Sequence, residues 1–205
     1  MIGPKAQSTE PDRALLGGCC QRRGLLEAAL GLAVGLSALP AAAEDEAQGP
    51  AAMPPQLGDQ FVFLSGDRKG QVIRAEDLGM GGPQVQAWPF DPKTKTVRDQ
   101  SRFNMVVLLR FDPKDLSEET RANSDQGVVA YSDICTHQGC PVNMWEKDLQ
   151  FLFCSCHGSQ FDPKSAAEVQ AGPAPRGLPA LPVKVEDGVP VVAGKFSGRV
   201  GSEIH

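Results

Sequence analysis

Metal-ligating residue types are concentrated in two short stretches of this chain. Cys135-Thr136-His137-Gln138-Gly139-Cys140 and Cys154-Ser155-Cys156-His157-Gly158-Ser159 hold four of the six cysteines and two of the three histidines, the third being His205. Each box offers one thiolate and one imidazole, at C-x-H and C-x-x-H spacing, plus one further cysteine. A 2Fe-2S cluster with Cys135 and Cys154 on one iron and His137 and His157 on the other would use all four ligands with no valence left over. The spare pair, Cys140 and Cys156, sits one per box and could close a disulfide if the two Cα atoms come within bridging range.

Three other readings use the same residues. A mononuclear zinc site of two Cys and two His is one, although structural zinc sites pair C-x(2-4)-C with H-x(3-5)-H and not Cys with His inside one box. A domain stapled only by disulfides leaves the position of both internal histidines without a reason. A Cys/His nucleophilic enzyme would need an orienting group that the sequence does not identify, and it has no use for four cysteines.

The elements that must position the boxes read as short strands. The chain has 22 Gly and 17 Pro in 205 residues, spread throughout, which argues for strands and turns over long helices. Strand-length apolar or alternating runs occur at 61–64, 105–109, 127–131, 150–153, 181–185 and 189–192. Strand-like residues flank both boxes, so each is expected at a hairpin tip. Asp115 to Ala122 predicts one short helix, and Gly79 to Pro83 a turn. Trp88 is expected to be a packing residue; Trp145, between the boxes, is either packing or part of a partner-facing loop.

The two boxes resemble the signature of Rieske iron-sulfur proteins, C-T-H-x-G-C followed by C-x-C-H-G-S, and Gly172-Pro173-Ala174-Pro175 is similar to that family's proline-rich loop over the cluster. The resemblance implies an all-β fold of stacked antiparallel sheets, with a small cluster-binding subdomain at about 132–178 on a larger β base. It implies a 2Fe-2S cofactor held by Cys135, His137, Cys154 and His157, and a bridge between Cys140 and Cys156. Ser159 falls where the family has a hydroxyl donor to a cluster sulfur, and Gly172 and Pro173 begin the covering loop. Two positions depart from the quinol-oxidising members: Gln138 stands where Leu is usual in the docking surface, and Phe161 where Tyr is usual near a ligand sulfur.

The first 43 residues read as an address. Gln21-Arg22-Arg23-Gly24-Leu25-Leu26 precedes sixteen uncharged residues, Ala28 to Ala43, ending in an Ala triplet. The paired arginines resemble a twin-arginine export signal. Sixteen residues are fewer than the roughly 20 needed to span a bilayer, so cleavage after Ala43 and retention as an apolar helical anchor are both open. Residues 44–59 read as a linker and 60–205 as the cluster domain, delivered to the periplasmic side of a bacterial inner membrane, where a disulfide persists. Cys19 and Cys20 precede the apolar stretch and take no role.

With 20 basic against 25 acidic residues there is no basic stripe for nucleic acid. The expected role is electron transfer as part of an oxidoreductase complex, not catalysis alone. One form is the iron-sulfur subunit of a bc-type quinol:cytochrome c reductase, taking electrons from quinol at cytochrome b and passing them to a c-type cytochrome. The other is a soluble periplasmic Rieske subunit of a molybdenum-dependent oxidase such as arsenite oxidase, serving a catalytic partner.

Overall fold

The structure, a computed structural model, describes residues 49–203. The export-signal reading, Cys19, Cys20 and His205 lie outside the described residues. Among the described residues there are eleven strands and one short α-helix, and every pair of these strands is antiparallel.

Strands β1 (Gln60–Phe63), β2 (Val85–Asp91), β4 (Val106–Arg110) and β5 (Val128–Ser132) line up in that order in one sheet, with β3 (Thr96–Val97) paired to β2. A second sheet holds β6 (Met144–Glu146), β7 (Phe151–Cys154), β8 (Ser159–Asp162) and β9 (Glu168–Ala171), and β10 (Val183–Glu186) and β11 (Val189–Val192) form a hairpin. The all-β expectation holds. Each expected strand run meets an observed strand, with boundaries that differ by at most two residues and coincide at 189–192.

Strand alternation divides the core in two. Successive side chains point to opposite faces, so Val107, Leu109, Val129 and Tyr131 enter one apolar group with Cys135, Leu152, Cys154 and Phe161. Val106, Leu108, Val128 and Ala130 enter another with Phe61, Ile73, Leu181 and Val192. Strands β4 and β5 are therefore apolar on both faces, which is why they read as continuous runs instead of alternating ones.

The helix is shorter than expected. Helix α1 covers Glu118–Ala122, capped by Ser117, whose side chain accepts from the Thr120 N–H, while Asp112 caps a separate turn of 3-10 helix at Pro113–Asp115. Pro113 supplies the fixed φ that starts that turn. Residues 50–58, within the expected linker, are tied to the base. The Pro50 carbonyl accepts from Arg98, the Ala51 carbonyl from the Gln100 N–H, and the Met53 carbonyl from Asn104. Arg98 and Asp59 make a buried two-bond ion pair beneath this segment.

Trp145 is half-buried and packs against the apolar group that contains the box cysteines. Its ring also lies against Gly82, where a Cβ would come within 2.5 Å of it. It joins the 79–83 turn to the second sheet through a packing contact. No helix among the described residues is long and apolar enough to cross a membrane.

Candidate metal centre

The first box leaves the end of β5 as a closed loop. The Val142 N–H is shared between the Asp133 carbonyl at 2.8 Å and its carboxyl oxygen at 3.0 Å, and Ile134 bridges Pro141. Inside the loop the Cys135 N–H donates to the Cys140 carbonyl at 2.8 Å and the Gly139 N–H to the Cys135 carbonyl at 2.9 Å. Asp133 is fully buried and also accepts from Gln86 Nε2 at 2.6 Å. Burial pushes its carboxyl up to about 7, against the two hydrogen bonds, which favour the charged form.

The second box is the tip of the β7–β8 hairpin. Cys154 and Ser159 stand opposite each other in the register, and the Gly158 N–H donates to the Cys154 carbonyl at 3.0 Å. A disulfide between Cys140 and Cys156 joins the two tips, with Cα atoms 6.6 Å apart. That separation is within the bridging range.

The four remaining Cys and His side chains of the two boxes meet in pairs, Cys135 with Cys154 and His137 with His157. Cys135 and Cys154 are buried free thiols. Burial pushes the Cys154 thiol up, opposed by the backbone N–H of Cys156 and reinforced by the neighbouring Cys135. Its sulfur lies within 4.8 Å of both bridged sulfurs. Those two sulfurs are spent in the disulfide, so this triplet marks a contact and not a metal site of its own. The rings of His137 and His157 are 4.7 Å apart and nearly perpendicular. His137 is half-buried and His157 exposed.

One atom tests the fit of a metal group. The Nδ1 of His137 is buried with no hydrogen-bond partner, and a buried polar atom left this way is costly. A metal bond to that nitrogen removes the cost. Two buried thiols in contact and two imidazole rings in contact, carried by the two bridged loops, are a mixed donor set of the kind that holds a 2Fe-2S cluster.

The proline-rich loop closes on the second box. The Ala174 N–H donates to the Ser159 hydroxyl oxygen at 3.2 Å, which leaves the hydroxyl hydrogen free to donate elsewhere. Gly172 has φ of +88°, and a Cβ there would lie 2.5 Å from Ser159 Cα and 2.7 Å from the Gly158 carbonyl oxygen. Gly172 and Pro173 are themselves exposed. Phe161 is fully buried two residues beyond Ser159 on the same face of β8, in the apolar group that includes Cys135 and Cys154. Gln138 is exposed at the first tip.

Sequence reasoning missed three supports of the first loop. The Thr136 hydroxyl donates to the Arg176 carbonyl at 2.6 Å, Arg102 donates to the Gly139 carbonyl at 2.8 Å, and Asp133 ties the loop base to Gln86 of β2. Arg102 and Gly139 are 37 positions apart, so no spacing rule joins them.

Residues 85–182 match the family model of the Rieske [2Fe-2S] domain, so the chain carries a domain of this class, and its cofactor is a 2Fe-2S cluster. Its relatives include the cytochrome bc1 complex Rieske iron-sulfur subunit of Streptomyces lividans, 38% identical over 98 residues that make up 47% of this chain and 58% of that one. The subunit of the same name from Mycobacterium tuberculosis strain H37Rv is 32% identical over 145 residues, 63% of this chain and 34% of the relative. The chain thus spans less than two thirds of either relative. Among solved structures, the plasma membrane Rieske protein PetC3 from Synechocystis PCC 6803 has a TM-score of 0.36 at 26% identity, over 54% of this chain and 86% of that one.

Proposed function

We propose that this chain is the one-electron carrier of a bc-type quinol:cytochrome c reductase, with Cys135, His137, Cys154 and His157 holding the cluster. The observation that carries the reading is the pairing of Cys135 with Cys154 and of His137 with His157 across the two loops that the Cys140–Cys156 bridge joins, with the His137 nitrogen buried and unpartnered. The names of the bacterial relatives support the complex.

A 2Fe-2S cluster with two histidine ligands supplies a one-electron acceptor with a potential of about −150 to +300 mV. The chain's own residues do the rest. Cys135 and Cys154 keep the thiolate side dry, while His157 stands at the surface, where an electron enters or leaves. A ring nitrogen not used for binding can carry a proton, so electron and proton uptake are linked at the same side chain. The free hydroxyl hydrogen of Ser159 is available to a sulfur of the group, and the disulfide keeps the two tips in register.

In this reading residues 1–43 are an export signal or anchor, 44–59 a linker and 60–205 the cluster domain on the periplasmic side. The donor is quinol at cytochrome b and the acceptor a c-type cytochrome. One feature favours the second reading, a soluble periplasmic Rieske subunit of a molybdenum-dependent oxidase: Gln138 presents an amide at the exposed tip where an apolar contact to a quinone site is expected.

Membrane fractionation with N-terminal sequencing and haem analysis separates the two. A membrane-bound chain that retains its first 43 residues and copurifies with b-type haem supports the reductase. A soluble chain that begins at Glu44 and brings down a molybdenum protein overturns it.

A further inference from the structure

The last described residues run from the base to the first cluster loop. The Ser197 N–H donates to the Ala180 carbonyl at 2.8 Å, and the Ala180 N–H returns to the Ser197 hydroxyl at 2.9 Å. This pair of hydrogen bonds pins the tail to the chain that has just left the proline-rich loop. Four residues later Gly201 and Ser202 are buried. Gly201 has φ of +79°, and a Cβ on it would stand 3.2 Å from the Phe103 ring and 3.4 Å from the Ile134 methyl. Ile134 immediately precedes Cys135.

Arg176 connects this tail to the loop. Its guanidinium donates to the Gly201 carbonyl at 2.7 Å and lies 3.9 Å from the Glu203 carboxylate. Its own carbonyl accepts from Thr136, the residue between Cys135 and His137, at 2.6 Å. One residue therefore holds the tail with its side chain and the first box with its backbone. An arginine fixed at both ends keeps little freedom, and the loop inherits that order.

We infer that residues 199–203 form a strap and that Arg176 is a positioning residue through which the strap holds the first cluster loop closed. The inference rests on the cluster reading above. Without the strap, Ile134 loses its cover and the Arg176 side chain its anchor, so the loop that carries Cys135 and His137 opens more often. The Arg176 charge acts separately: a nearby cation favours the more negative, reduced cluster.

The test uses the full-length, cluster-loaded chain, and it reads two quantities: the rate of iron transfer to an external chelator and the midpoint potential below the histidine transitions. Deleting residues 201–205 should speed iron transfer at least tenfold and leave the midpoint within a threefold change in redox equilibrium, about 28 mV at 59 mV per tenfold. Arg176→Ala should speed transfer to the same extent and also lower the midpoint by more than that amount. Arg176→Lys should return the midpoint towards that of the parent while transfer stays fast, because an ammonium keeps the charge but not the planar fork. Gly201→Ala in the intact chain serves if the deletion does not fold, and it should speed transfer with the midpoint unmoved. Unchanged iron transfer in the deletion, or in Gly201→Ala if the deletion does not fold, overturns the strap, as does unchanged transfer in Arg176→Ala. Failure of the parent protein to give a 2Fe-2S spectrum would instead overturn the cluster reading.

Discussion

Two glycines of the cluster region make a matched pair of perturbations. Gly158, in the second box, and Gly172, in the proline-rich loop, both have positive φ, at +77° and +88°. A side chain at either position meets the left-handed backbone penalty, about 1–2 kcal/mol. Their surroundings differ. A Cβ on Gly158 meets nothing within 4 Å, whereas one on Gly172 meets Ser159 Cα at 2.5 Å, the Ser159 nitrogen at 2.7 Å and the Gly158 oxygen at 2.7 Å, all backbone. Backbone cannot swing away, so Gly172→Ala adds an overpacking cost of about 1–3 kcal/mol. Gly158→Ala should therefore cost about 1–2 kcal/mol and Gly172→Ala about 2–5 kcal/mol. The extra displacement falls on the Ala174 to Ser159 hydrogen bond, so Gly172→Ala should also lose visible cluster absorbance before the rest of the fold melts. Thermal melts of the cluster-loaded protein at one scan rate, followed by far-ultraviolet dichroism and visible absorbance together, measure both effects. A difference of about 1–3 kcal/mol corresponds to about 2–12 °C for a body of this size. Equal shifts for the two variants would refute the claim that the covering loop is set by contact with the second box.

The potential should respond to the two residues on the inner face of β8. A hydrogen bond of about 0.5–1.5 kcal/mol is worth about 20–65 mV for one electron, so Phe161→Tyr should raise the midpoint by that order and Ser159→Ala should lower it. Film voltammetry at one pH decides: if Ser159→Ala acts and Phe161→Tyr does not, residue 161 does not reach a ligand sulfur. Replacing both Cys140 and Cys156 by Ser should cost about 2–4 kcal/mol and lower iron occupancy while the dichroism of the base persists; full occupancy in that variant would count against the bridge as the lock between the tips. The Asp133 carboxyl is raised from its ordinary 3.8 to about 7 in the fold, so between those values the folded protein holds a proton that the unfolded chain releases. Stability should accordingly fall as the pH rises through that window, by about 1.4 kcal/mol per unit at most, and Asp133→Asn should flatten the dependence in urea titrations. A slope that survives in Asp133→Asn assigns the effect to another group.

The site was more legible than its scaffold, for a physical reason. Metal ligands need particular atoms at particular spacings, and Cys135, His137, Cys154 and His157 carry that pattern in one dimension. The strands that support them need only alternating burial. Strand β2 contains Pro89 and the half-buried Gln86, and β9 is Glu-Val-Gln-Ala, so neither has an apolar run to read. Strands β6 and β8 are short segments beside the boxes that gain their identity from cross-strand partners. The helix start was misplaced because Asp112, Asp115 and Ser117 are all capping residue types within six positions, and only the fold decides which N–H each one meets. Arg102, Arg176 and Gly201 carried no signal, since their partners at the first loop are distant in sequence.

The two-faced sheet has a mechanical consequence. Residues 106 to 109 and 128 to 131 alternate between the core beneath the cluster loops and the core of the base. A hinge between the two cores would have to run through strands whose every second side chain is anchored on the other side. Such strands can be sheared or torn but not pivoted. If the cluster must travel between an electron donor and an acceptor, the whole body has to travel with it as one rigid load, and the speed of the shuttle is then set by the diffusion of that body and not by any internal flexing.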